Sequence, residues 1–340
     1  MKYKENCYME RIEIINEINE MKEMKILSYL PMKSDNYLKE WLEYKFPKLV
    51  GRKDSSDLDV SKKAIITYGL ELFAYKKEKS IFSKISKQSN NSKKYCINYI
   101  PELRGDWLTS PLHMIKLYMG LLWEDNMCPK EFKNLFSRVT KKHMLYSPEG
   151  FWEEYVYKNA DKIWNNFDYI AKEFIKNTVS MGNFIMMPIY INPCRCKAFA
   201  EDDTLDTLLW KMYCCFELKR QEKENELSEY LINSFKGDDE IEARNNVIRW
   251  MNLYNNDWQQ FIKYNYLQDT VVSRNGKFER PIDLRKGHDI LCELYDTYEP
   301  LPNNLNLTEC LQLMKNYNNY ISKRTKRIDG LIKTFDTSII

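Results

Sequence analysis

Glycine and proline are scarce in this chain, at 10 and 11 of 340 residues. That excludes collagen-like and low-complexity chains and disfavours an all-β fold, whose many tight turns need both residue types. Histidine is scarcer still, with 3 residues. No apolar run approaches the ~18 residues that a membrane-spanning helix needs. The start, Met1-Lys2-Tyr3-Lys4-Glu5-Asn6, is polar and leads into no secretory-type apolar stretch. There is no P-loop, no dinucleotide-binding glycine fingerprint, no Gly-x-Ser-x-Gly elbow and no kinase signature. Neither sign of charge dominates. Fifty-two basic residues against 49 acidic ones give +3 and a pI near 8.2, below the ~9 of a dedicated nucleic-acid-binding domain.

What is present is enough for a large core. Apolar residues make up 44% of the chain against 30% charged, and the length suits one large domain or two of ~100–200 residues. Lys, Asn, Ile and Tyr are plentiful, with 24 Tyr; all have AT-rich codons, which points to an AT-rich bacterium or its phage. Nine cysteines stand at 7, 96, 128, 194, 196, 214, 215, 292 and 310. An odd, scattered set makes no disulfide framework, so a soluble protein of the reducing cytoplasm is expected.

Along most of the chain apolar residues recur at three- and four-residue steps, the mark of amphipathic helices. Tyr8, Ile12, Ile15, Ile18 and Met21 trace the first. Ser34 is placed to cap a second, with Tyr37, Leu38, Trp41 and Leu42 before Pro47. Ile65, Tyr68, Leu72 and Tyr75 trace a third. Ser110-Pro111, Cys128-Pro129 and Ser147-Pro148 are helix starts, with Phe132, Phe136 and Val139 in phase after the second. Ile163, Phe167, Ile170 and Phe174 predict one helix to about Asn177. Further helices open at Thr204, Ser228, Asp239 and Asp257, and Asn306 with Glu309 makes a capping box before the last.

Two stretches break the pattern. Residues 181–192 form an apolar run with no helical period, which predicts a buried strand, a hairpin or a buried extended loop. Asn275-Gly276, flanked by Thr270-Val271-Val272-Ser273 and Lys277-Phe278, is the strongest hairpin signal. The expected fold is therefore mainly α: an irregular multi-helix globular protein with one or two small β-hairpin elements, and at least ~60% helix against the usual third. Residues 83–94, nearly all Ser, Lys, Asn and Gln, read as a mobile connection. They separate an N-terminal helical region, 1–82, from a main helical domain, 95–340, with one continuous domain as the alternative.

One stretch carries chemical meaning by resemblance. His143-Met144-Leu145-Tyr146-Ser147-Pro148 is followed, after a helical spacer, by Gly182-Asn183-Phe184-Ile185-Met186-Met187-Pro188, with Asn192 ten residues after Gly182 and Lys197 and Phe199 beyond. Residues 143–199 thus resemble HNH nuclease domains of modification-dependent restriction endonucleases. In that family a His serves as general base, and an acid with a second His holds a divalent metal against the scissile phosphate. Here Lys142 stands at the acid position and Val179 at that of the second His. Neither side chain can hold a divalent cation. The resemblance therefore implies a degenerate centre without metal or other cofactor, with His143 and Asn192 as its remaining candidates and DNA or RNA as partner. A similar Gly-aromatic, Pro, Asn and Arg centre also resembles bacterial proteins of no assigned function. On the residues alone, the same run is a Gly-Asn turn feeding a core strand.

Arg138-Val139-Thr140-Lys141-Lys142-His143 offers a second reading. Arg, four residues and His resemble the motif of all-α HEPN ribonucleases. There Arg138 and His143 would act on the RNA 2′-hydroxyl and the phosphate it attacks. Cys194, Cys196, Cys214 and Cys215 fail as a zinc set, because adjacent cysteines on a helix diverge by about 100°. Lys323, Arg324, Lys326 and Arg327 form the densest basic cluster, a candidate phosphate-binding face or a solvated helix face. Three functions follow: a nucleic-acid-associated protein with a non-catalytic HNH-like centre, a helical structural or protein-interaction protein without chemistry, and a HEPN-like ribonuclease.

Overall fold

The chain is mainly helical, with small antiparallel sheets between the helices. The computed structural model describes residues 8–29, 34–51, 63–64, 66–71, 94–96, 103–109, 111–122, 136–137, 144–145, 151–188, 204–235, 240–284, 288–289 and 305–340. Among these, β1 (Tyr8–Glu10) leads into α1 (Arg11–Glu23) and pairs with β2 (Lys94–Cys96). Lys94, at the end of the polar 83–94 stretch, is thus in a strand; residues 83–93 lie outside the described residues. The buried face of α1 runs through Ile14, Ile18 and Met21, whereas Ile12 is 57% exposed. The stripe anticipated through Ile12 and Ile15 is therefore displaced, since Tyr8 belongs to a strand and does not set the helical phase.

Helix α2 (Tyr37–Lys45) buries Leu38, Trp41 and Leu42. Its cap is Asn36, whose side chain accepts from Lys39 N at 3.1 Å; Ser34 instead accepts from Asn36 N. After the helical residues 66–71 come β3 (Leu103–Trp107) and α3 (Pro111–Leu122), which begins on the anticipated proline. The helix expected after Cys128-Pro129 does not extend to Phe136. Phe136–Ser137 is a short strand, β4, paired with β5 (Met144–Leu145).

Helix α4 spans Phe151–Lys158. The single helix expected from Ile163 to Asn177 is two, α5 (Ala160–Asn166) and α6 (Tyr169–Thr178), broken where Asp168 caps α6 by accepting from Ile170 N. A 3₁₀ turn, Met181–Asn183, then feeds β6 (Phe184–Pro188), which is buried along its whole length. Its partner is distant in sequence. β6 runs antiparallel to β3, with Trp107 opposite Phe184 and Leu103 opposite Pro188. A strand covered on both faces has no polar alternation, which is why this run lacked any period.

Helices α7 (Leu205–Arg220), α8 (Glu224–Ser234), α9 (Glu240–Leu253) and α10 (Trp258–Tyr264) follow. The Asn275-Gly276 turn joins β7 (Val271–Arg274) to β8 (Lys277–Asp283), with φ of 50° and 75° at the two turn residues, and β9 (His288–Asp289) adds a third strand. Positive φ at both positions is the type I′ geometry that Asn-Gly favours. The last helix, α11 (Leu307–Thr334), starts on the anticipated capping box: Asn306 Oδ1 accepts from Glu309 N at 2.9 Å, and Glu309 accepts from Asn306 N at 3.0 Å. Its buried stripe runs through Met314, Tyr317, Ile321, Arg324, Ile328 and Ile332. One apolar cluster extends from Ile14 to Phe335 and takes residues from both halves of the chain. No helix among the described residues is long and apolar enough to cross a membrane.

Candidate functional site

The turn 179–184 is buried throughout, and each of its neighbours explains a residue in it. On one side, Val179 O accepts from Tyr29 N at 3.2 Å and Ser28 Oγ at 2.8 Å, while Met181 N donates to Leu27 O at 3.0 Å. The position at which the resembled nucleases keep their second His is thus occupied by a buried valine stitched to residues 27–29. Asn183, fully buried, satisfies its whole amide: Nδ2 donates to Thr109 O and Thr178 O at 3.0 and 3.1 Å, and Oδ1 accepts from Thr109 N at 3.0 Å. The bond to Thr178 O is local to the turn, whereas those to Thr109 fasten the turn to the strand-end there.

Helix α11 closes the other side. Thr325 Oγ1 accepts from Gly182 N at 3.1 Å, shares a hydrogen bond with Ser180 Oγ at 2.8 Å and donates to Ile321 O at 2.8 Å. A Cβ on residue 182 would come within 2.6 Å of Thr325 N and nearer still to Thr325 Oγ1 and Ile321 O. Glycine is required here for close approach, not for a left-handed φ.

Arg324 is the centre of this contact. Its side chain is 4% exposed, and Nη1 reaches the carbonyls of Met181, Gly182 and Phe184 at 3.1, 3.0 and 2.6 Å, while Nε donates to Asn265 O at 2.8 Å. Nη2 stands 3.6 Å from Oε1 of Glu71, itself 4% exposed. A buried guanidinium must be paired and hydrogen-bonded to offset its desolvation, and here backbone carbonyls do most of that work. Burial pulls the Arg324 pKa down, with Glu71 pushing it back up. Burial raises the Glu71 carboxyl to about 7, with Arg324 acting in the opposite direction. Tyr254 and Tyr264 stand close by, both with hydroxyl pKa values driven well above normal by burial.

The basic cluster expected as one phosphate-binding face therefore divides. Arg324 faces the core, which corrects its assignment to a surface patch. Arg327 is ion-paired with Asp269, and Lys323 lies 3.9 Å from the same carboxylate. Lys326 is exposed. The signal for the inward turn was present, since Arg324 occupies a stripe position between Ile321 and Ile328. Nothing in the apolar pattern singled out Glu71. His143, Arg138 and Asn192, together with Lys142, Cys194 and Cys196, lie outside the described residues.

Cys214, Cys215 and Cys310 are buried thiols that form no disulfide, and burial pushes that of Cys310 up to about 12. No group of three His, Cys, Asp or Glu side chains suited to a metal occurs among the described residues. Asp206, in the first turn of α7, is fully buried and accepts from the Tyr317 hydroxyl at 3.0 Å. Compared with family models, with curated proteins and with solved structures, the chain matches none. Chemically, the Gly182 centre is a clamp: its donors and acceptors are directed at one another and at the backbone.

Proposed function

We propose that this chain works by binding, as a helical interaction protein of the reducing cytoplasm, and that its HNH-like stretch serves packing. The observation that carries this reading is the seating of Arg324 on the carbonyls of Met181, Gly182 and Phe184, which fills the centre of the resembled motif with the protein's own last helix. A nuclease centre needs room there for a scissile phosphate. The buried thiols of Cys214, Cys215 and Cys310, in no disulfide, fit a reducing compartment. Asp269, paired with Arg327 and 3.9 Å from Lys323, offsets part of the positive charge that a nucleic-acid-associated protein would direct at phosphates, which supports a protein partner over a nucleic acid.

The test is fluorescence anisotropy with labelled duplex DNA and single-stranded RNA, run between about 50 and 200 mM salt beside a cleavage assay. Neither cleavage nor salt-dependent binding is expected. Binding that weakens steeply with salt and is lost in Lys323→Ala/Lys326→Ala would instead support the nucleic-acid-associated reading. RNA cleavage abolished by His143→Ala would support the HEPN-like one.

A further inference from the structure

Glu71 has no part in the function just proposed, yet its surroundings are costly for a carboxylate. Among the described residues its Oε1 finds no hydrogen-bond partner and has Arg324 Nη2 at 3.6 Å. The Nε and Nη1 donors of that guanidinium are directed elsewhere, at Asn265 O and the carbonyls of the 181–184 turn, and only Nη2 is turned to Glu71. The groups that face the carboxyl are Arg324 from α11, Tyr254 just beyond α9, Tyr264 from the end of α10 and Tyr266 just beyond that helix. From its own segment, Tyr68 lies among the same rings, 5.8 Å from that of Tyr264. Among the described residues, Arg324 is the cation acting on this carboxyl. The cluster is thus four tyrosines, one positive charge whose Nε and Nη1 donors are engaged by backbone carbonyls, and one acid.

We propose that Glu71 is a proton-operated latch between the helical residues 66–71 and α11, holding that segment to the core when protonated and loosening it on ionisation. A neutral carboxyl sits among buried tyrosines at little cost, whereas an ionised one leaves a charge that Arg324 offsets from 3.6 Å without a hydrogen bond. The direction of the pH dependence follows from linkage. Folding raises the Glu71 pKa from its ordinary 4.5 to about 7, so the folded protein binds the proton more tightly than the unfolded chain does. The resulting stabilisation is complete below about 4.5 and is lost as pH rises through about 7.

The experiment compares the full-length protein with Glu71→Gln, a neutral isostere, by thermal melting and hydrogen exchange between about pH 5 and 8. For the wild type the Tm is expected to fall across this range, and the protection factors of amides 66–71, corrected for intrinsic exchange, to fall with it. The Glu71→Gln protein should lose this component, so its Tm advantage over wild type grows with pH. Parallel pH profiles for the two proteins would overturn the proposal. If Glu71→Gln does not fold, isotope-edited infrared titration of the wild type decides: a glutamic acid carbonyl band that titrates near neutrality supports the latch, and its absence overturns it.

Discussion

Thr325 Oγ1 accepts the Gly182 N–H at 3.1 Å, in the space that a side chain on residue 182 would have to enter. Two of the three atoms nearest to such a side chain, Ile321 O and Thr325 N, belong to the backbone of α11 and cannot rotate aside. Gly182→Ala is therefore expected to cost at least the ~1–3 kcal/mol typical of overpacking, and Gly182→Val more. Urea denaturation reads the loss. Adding Thr325→Ala should not restore stability, because the backbone clash persists; full rescue would mean that the hydroxyl alone requires the glycine.

Phe184 begins the buried strand, 5% exposed, with its ring centroid 5.1 Å from that of Tyr29. Phe184→Ala is expected to destabilise by ~3–5 kcal/mol, the range for emptying an enclosed aromatic site. That is a large share of the ~5–15 kcal/mol that holds a domain together. A melting temperature within about a degree of wild type would place the segment at the periphery.

Asn183 tests hydrogen bonding at the same place without a large change in volume. Asn183→Asp sets a carboxylate oxygen against the carbonyls of Thr109 and Thr178, where the amide had donated. Each buried group left unpaired costs about 1–3 kcal/mol, and the new charge adds to that. Asn183→Asp should therefore be at least as harmful as Asn183→Ala in equilibrium unfolding, even though it is the closer isostere.

Gly276 supplies a contrast. Its φ is 75° and a Cβ there would meet nothing within 4 Å, so Gly276→Ala carries only the cost of a left-handed backbone, about 1–2 kcal/mol. Denaturation of this variant beside Gly182→Ala should separate the two reasons for glycine. Strain at 276 is small and local, whereas crowding at 182 disturbs the packing of the longest helix.

Much of the architecture was legible in the order of residues. The capping box at Asn306 and Glu309, the start at Pro111, the Asn275-Gly276 turn and the buried character of 181–188 all rest on contacts a few residues apart, or on the absence of any polar alternation. Where the reading failed, a neighbour in space had intervened. The α1 stripe was misplaced because Tyr8 pairs with Cys96, and one expected helix is two because Asp168 caps its second half. The basic cluster on α11 looked uniform, and only the stripe position of Arg324 hinted that one member turns inward.

By itself, then, the sequence determined the helical class, the caps and turns, and the burial of the central run. These follow from backbone hydrogen bonding and hydrophobic periodicity within a few turns of chain. Tertiary structure decided the partners: β3 for β6, Thr325 for Gly182, and for Arg324 three carbonyls of one turn and the carboxyl of Glu71. Arg324 and Glu71 are 253 positions apart in the chain, and no local preference encodes that meeting. It depends on a buried charge having to find its counterparts wherever the packed helices bring them.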